Sequence, residues 1–236
     1  MSRSSGISLS ALIFFIGLSI LASNISLTKV WGAEGQKFTL FEFLGPLPGA
    51  FFGPIYGIAI VLVAKVFALI FSNSPFDFVS FLRFIPAFVG VYIFSKYKNS
   101  ILNPLICAFS ILLFILHPVG SQAWLFSLFW LIPILLHFFP SNNIFLRSLA
   151  TTLTQHSVGA VIWIYFVSAQ TPEFWLALIP VVAIERFVFA TGIAFSYLTS
   201  LKILDLLNNQ IYLRFWKKQL NFSPYIQKNK NKIKDY

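Results

Sequence analysis

Seven apolar stretches follow one another along the chain, at residues 7–24, 45–71, 78–95, 100–117, 121–139, 146–168 and 174–200. Each approaches or exceeds the roughly 20 residues that a helix needs to cross a bilayer. In hydrocarbon every backbone N–H and C=O must be satisfied without water, which leaves helices as the solution for stretches of this kind. Only 10% of the residues are charged, against about 25% in a soluble domain, and the mean hydropathy is +0.81. The pattern predicts an all-α, polytopic integral membrane bundle of about seven transmembrane segments. It forms one transmembrane domain over 1–206, followed by a basic tail over 207–236. The fourth and fifth segments are separated only by His117-Pro118-Val119-Gly120, which reads as a tight helix–helix turn. The single cysteine, Cys107, excludes a disulfide framework and a cysteine-based metal site. No metal or cofactor is expected.

Lysine and arginine in the connections set the expected orientation. Beyond residue 200 stand eight basic residues against two acidic ones, which places the C-terminus in the cytoplasm. Counting back leaves Lys96 and Lys98 inside, Asp77 outside, Lys29 and Lys37 inside, and the N-terminus outside with Arg3. The expected location is the plasma membrane. Residues 1–23 also have the form of a signal peptide, but cleavage would give the remaining segments the wrong parity for a cytoplasmic tail. The first segment is therefore expected to be retained. Residues 201–220 mix apolar and basic positions as an interfacial helix does, and anionic lipid accounts for the charge of the tail. Nucleic acid is not an expected partner.

Within the second stretch, Gly45, Gly49, Gly53 and Gly57 recur every fourth residue. On a straight helix they share one ridge without side chains, where another backbone or a flat ligand can approach closely. Pro46, Pro48 and Pro54 make the start of the stretch irregular or kinked. Both a packing seam and a ligand surface fit this ridge, and Gly49, Gly53 and Gly57 are its candidate binding positions.

Ionisable residues inside apolar stretches are costly and point to function. Lys65 and Arg83 lie toward the outer ends of their segments, where snorkelling also explains them. Glu185 and Arg186 fall near mid-bilayer, about 100° apart around the helix, so each is expected to need its own partner, a cavity or a deformation of the membrane. Thr152, His156, Gly159 and Trp163 share one face of the sixth segment and match the depth of Glu185. Gln155 adjoins His156. A buried His156–Glu185 hydrogen bond and a ligand or proton site remain alternatives. Trp124 and Trp163 are candidates to stack a flat ring, or interface anchors. Lys65, Arg83 and Arg186 against Glu185 make three embedded cations to one carboxylate, which favours an anionic or carboxylate-bearing solute.

The run FLGPLPGAFFGPIYGIAIVLVAK, a GP-x-x-G helix after a first loop, together with the following R-F-I-P-A-F-V-G, resembles the substrate-binding S-components of energy-coupling-factor (ECF) vitamin transporters. The resemblance covers about residues 40–95. It implies a small all-helical subunit that captures a vitamin or related nutrient from outside and docks on a transmembrane coupling subunit with ATPases. Vitamin-binding members of that family have both termini in the cytoplasm. Its cobalt and nickel branch uses an N-terminal histidine near the metal, whereas this chain has none before His117.

Motifs for hydrolysis, metal-dependent cleavage and nucleotide binding are absent from the sequence. Solute capture and transport is the leading reading. The alternatives are an intramembrane enzyme on a lipid or isoprenoid using His156 and Glu185, and a structural or assembly subunit.

Overall fold

The computed structural model describes residues 9–29, 37–71, 77–97, 100–139, 142–167 and 170–209. Arg3, Lys98 and the basic tail from 210 onward lie outside these residues, as do the expectations made for them. In chain order the elements are α1 (Leu9–Asn24), β1 (Ser26–Lys29), β2 (Lys37–Thr39), α2 (Phe41–Leu44) and α3 (Leu47–Phe71). They continue with α4 (Phe78–Leu82), α5 (Ile85–Lys96), α6 (Leu102–Leu116), α7 (Pro118–Gln122), a 3-10 stretch (Trp124–Trp130), α8 (Leu131–Phe138), α9 (Ile144–Phe166) and α10 (Pro172–Asn209). Helix thus falls in every apolar stretch.

Three helical stretches, Leu47–Phe71, Phe78–Lys96 and Pro172–Ile203, are long and apolar enough to cross a membrane. The helix α9 has 23 residues but is not among them, because it carries Ser148, Thr151, Thr152, Thr154 and Ser157, all buried. The hydroxyls of Thr151, Thr152, Thr154 and Ser157 are hydrogen-bonded within the bundle, whereas Ser148 Oγ is buried without a partner. Thr154 Oγ1 donates to Asn103 Oδ1 on α6 at 2.6 Å, and Ser157 Oγ donates to the Thr154 carbonyl at 2.9 Å.

Two of the predicted segments are broken, each at a proline. Pro86 lacks an N–H, and its ring opposes the carbonyl four residues back, at Leu82. The helix stops there, and α5 restarts beyond Arg83 and Phe84 with its proline in the first turn. Pro133 acts likewise on the carbonyl of Phe129, and Ser127 Oγ donates to the Trp124 carbonyl at 2.7 Å. The stretch ahead of Pro133 is wound as 3-10 rather than α.

The larger departure lies in the glycine-rich stretch. Gly53 has φ 81° and ψ 172°, a conformation essentially reserved for glycine, and it divides α3 into two arms. The arms fold back on each other. A Cβ added at Gly57 would fall 2.7 Å from the Gly49 backbone N, though eight residues of straight helix would separate the two by about 12 Å. The glycines therefore do not form one straight ridge. Gly49 and Gly57 both face Val91 of α5, and a Cβ at Gly49 would lie 2.3 Å from the Val91 carbonyl oxygen. Packing is the use this structure makes of them.

This fold-back changes where the chain begins. Phe15 of α1 packs against Phe51 and Phe52 at ring distances of 5.5 and 5.1 Å, and Phe51 in turn meets Tyr197 of α10 at 5.8 Å. Seven residues on, Ala22 packs with Phe41, Val61, Ala87 and Val91. α1 thus runs antiparallel to α10, and its start shares an end of the bundle with Tyr197 and Leu201. The sequence placed the N-terminus at the opposite end from the C-terminal tail. Counting apolar stretches missed the extra passage made by β1, β2, α2 and the short arm of α3. The two strands, antiparallel with Ser26 opposite Thr39, are also a departure from an all-helical chain.

At the Tyr197 end, the Arg147 guanidinium on α9 donates from Nε to the Phe94 carbonyl at 2.8 Å and lies 4.2 Å from the Phe94 ring. This sets a cation on the C-terminal turn of α5, where the helix dipole favours one. At the other end Phe78 meets Phe166 at 6.0 Å and His117 meets Tyr165 at 5.0 Å. Between the ends, Phe114, Phe126, Trp130 and Trp175 form an aromatic knot joining α6, the 3-10 stretch and α10.

Replacing Gly53 with alanine is expected to cost about 1–3 kcal/mol, because the Cβ strains the turn. Gly17→Ala on α1 serves as the control, since nothing lies within 4 Å of its added Cβ. Thermal unfolding in detergent checks the pair: equal melting temperatures would remove the fold-back from the account.

Candidate functional site

The site is built where α10 passes α2 and α9 near mid-length. Arg186 is 5% exposed. Its Nη2 pairs with Glu185 Oε2 at 3.4 Å, and its Nη1 donates to Thr152 Oγ1 of α9 at 3.3 Å. The guanidinium also lies 4.5 Å from the Phe189 ring and 5.5 Å from that of Phe38, on β2. Its Nε is buried without a partner. The expectation that adjacent residues 100° apart need separate partners is corrected: both side chains are long enough to bend toward each other across one helix surface.

His156 does not bond to Glu185. Its Nδ1 accepts from the indole Nε1–H of Trp130 at 3.2 Å, and its ring packs 5.5 Å from Phe126. Arg186 nevertheless lies within electrostatic reach of both His156 and Glu185, so the two sequence candidates belong to one polar cluster joined through Arg186. With His156 and Glu185 otherwise engaged, no acid–base pair is assembled between them.

Lys65 stands over the ring of Phe41 at 4.2 Å. Glu42, the next residue of α2, acts electrostatically on Lys65, Glu185 and Arg186 alike. It was passed over in the sequence because it falls in a connection rather than in an apolar stretch. The fold-back carries that connection into the bundle, where Phe43 seats against α10: a Cβ at Gly192 would lie 2.4 Å from its ring. The flanking phenylalanines of Phe41-Glu42-Phe43 are the signal that an acid here sits in an apolar setting.

Glu42 alters the charge count. Lys65 and Arg186 are matched by Glu42 and Glu185, so the buried cluster is balanced. The third cation, Arg83, is exposed, 5.8 Å from the Trp163 ring and within reach of Asp77. The positive excess inferred from the sequence is thus not a property of the interior.

The face of α9 predicted from spacing is assembled. Thr152 holds Arg186, His156 lies one turn beyond, and Trp163 meets Arg83 at the Phe166 end. Between them Gly159 is half-buried, and a Cβ added there would meet only Pro86 Cγ, in ordinary packing contact at 3.7 Å. Gln155 sits to one side, packed over Gly90, where a Cβ would fall 2.3 Å from its Cδ. Trp124 is 48% exposed at the start of the 3-10 stretch. No group of three or more histidine, cysteine or acidic side chains among the described residues is arranged to hold a metal. Compared with known protein families, curated proteins and solved structures, the chain shows no match.

Removing one partner of a buried ion pair leaves an uncompensated charge, which costs about 3–5 kcal/mol. Arg186→Leu alone is expected to fall in that range. The double variant Glu185→Gln with Arg186→Leu should recover part of the loss. A double-mutant cycle on thermal stability checks this, and strict additivity would show that the pair is not coupled.

Proposed function

We propose that this chain is a multi-pass protein of the plasma membrane that captures a small, carboxylate-bearing nutrient or vitamin-like solute for import. The observation that carries the reading is the α9 face on which His156, Gly159 and Trp163 stay half-buried between exposed Arg83 and buried Arg186. In this reading that face is the solute's passage, which ends on polar groups at mid-height.

In this reading the Phe166 end faces outside, and Arg83 meets the solute first. The Tyr197 end faces the cytoplasm, with the start of α1 and the end of α10 both on that side. The partners are then membrane lipid and a transmembrane coupling subunit with ATPases, or lipid alone for a stand-alone carrier.

A cysteine at Gly159 tests the passage. In a Cys107→Ala background, Gly159→Cys is the sole thiol. It is expected to react in intact cells with a small, membrane-impermeant methanethiosulfonate added outside. A thiol at Ala160, which is 5% exposed and faces the aromatic knot, should stay unmodified. A Gly159→Cys protein that resists the reagent in cells, or reacts only in inside-out vesicles, would overturn the proposal.

A further inference from the structure

We infer that Trp130 fixes the His156 imidazole as a hydrogen-bond donor at Nε2, and that this N–H selects solutes presenting a carboxylate or carbonyl oxygen. The inference deepens the solute-capture reading and rests on it.

An indole N–H is a donor and has no acceptor capacity. The nitrogen facing it, His156 Nδ1, must therefore offer its lone pair, and the neutral ring then carries its proton on Nε2. A doubly protonated ring would set a second N–H against the indole N–H and lose the bond. Trp130 cannot turn away to relieve this. It is fully buried, edge-on to Phe114 at 5.3 Å and to Phe126 at 6.0 Å. His156 itself is wedged against Phe126.

Nε2 has no hydrogen-bond partner among the described residues, and unlike Arg186 Nε it is not sealed from the surface. One helical turn away, Arg186 is closed off: Nη1 donates to Thr152 Oγ1, Nη2 pairs with Glu185, and Nε is sealed in the bundle. The passage thus meets one N–H of fixed direction, at His156 Nε2. A donor on a half-buried ring is costly to leave unmet. An oxygen acceptor meets it, whereas an ammonium or other donor-only group does not. Trp130 is a positioning residue in this arrangement, acting through His156.

The test uses the full chain in lipid nanodiscs with nitrogen-15 histidine, and sodium benzoate and benzylamine as ring-matched acceptor and donor probes. Without either probe, the His156 signals should report the Nε2–H form in the wild type and a mixture of tautomers in Trp130→Phe. Benzoate should shift the Nε2 signal saturably, and benzylamine should not. The affinity for benzoate should survive within about threefold in His156→Gln, whose amide nitrogen reaches the Nε2 position. It should fall at least tenfold in His156→Asn, whose amide lies at the Nδ1 position; a tenfold loss corresponds to about 1.4 kcal/mol. An Nδ1–H wild type overturns the inference, as does equal binding of the two probes, equal behaviour of the Gln and Asn variants, or no benzoate response with the tautomer as stated. A Gly159 thiol closed to reagent beside an Nε2–H ring would instead sink the capture reading and leave the Trp130–His156 tautomer standing.

Discussion

A guanidinium inside an apolar bundle imposes more on this fold than any other group. Moving an unpaired charge out of water costs many kilocalories, so Arg186 persists only because the chain surrounds it with compensation. Glu185 supplies the counter-charge, Thr152 an acceptor, and Phe189 and Phe38 the faces of their rings. Three of these four come from α9 and α10. The fourth, with Glu42 close behind it, comes from the strand and short helix between α1 and α3. That segment enters the bundle with apolar side chains of its own, burying Phe41 and seating Phe43 against α10.

Entry of that segment requires a return path, and Gly53 provides it. A left-handed turn followed at once by Pro54 lets two helical arms lie against each other, with Gly49 and Gly57 thinning the contact so that Val91 of α5 fits beside both. The polar centre and the glycine-rich stretch are therefore parts of one arrangement: the fold-back brings Glu42 and Phe38 to Arg186.

Helical content and the positions of the apolar segments were legible because hydropathy and length govern them directly. So was the shared face Thr152, His156, Gly159 and Trp163, which follows from the geometry of a helix alone. What these residues touch was not legible. His156 finds Trp130, which sat unremarked in an apolar run, and Arg186 finds its own neighbour because rotamers of long side chains outrun a Cα-based angle. Glu42 was invisible for a different reason: its depth is set by a backbone turn at a glycine eleven residues later. Glycine spacing revealed close packing but not the sign of φ, and the sign decides whether the stretch runs on or doubles back.

The same turn has a consequence for any attempt to count passages from hydropathy. A segment that enters the bundle and returns without a long apolar run escapes every hydropathy window, so the helix ahead of it runs the other way while each recognised helix stays in place. Phe15 of α1 then shares an end of the bundle with Tyr197 and Leu201 of α10, although the two helices stand at opposite ends of the chain.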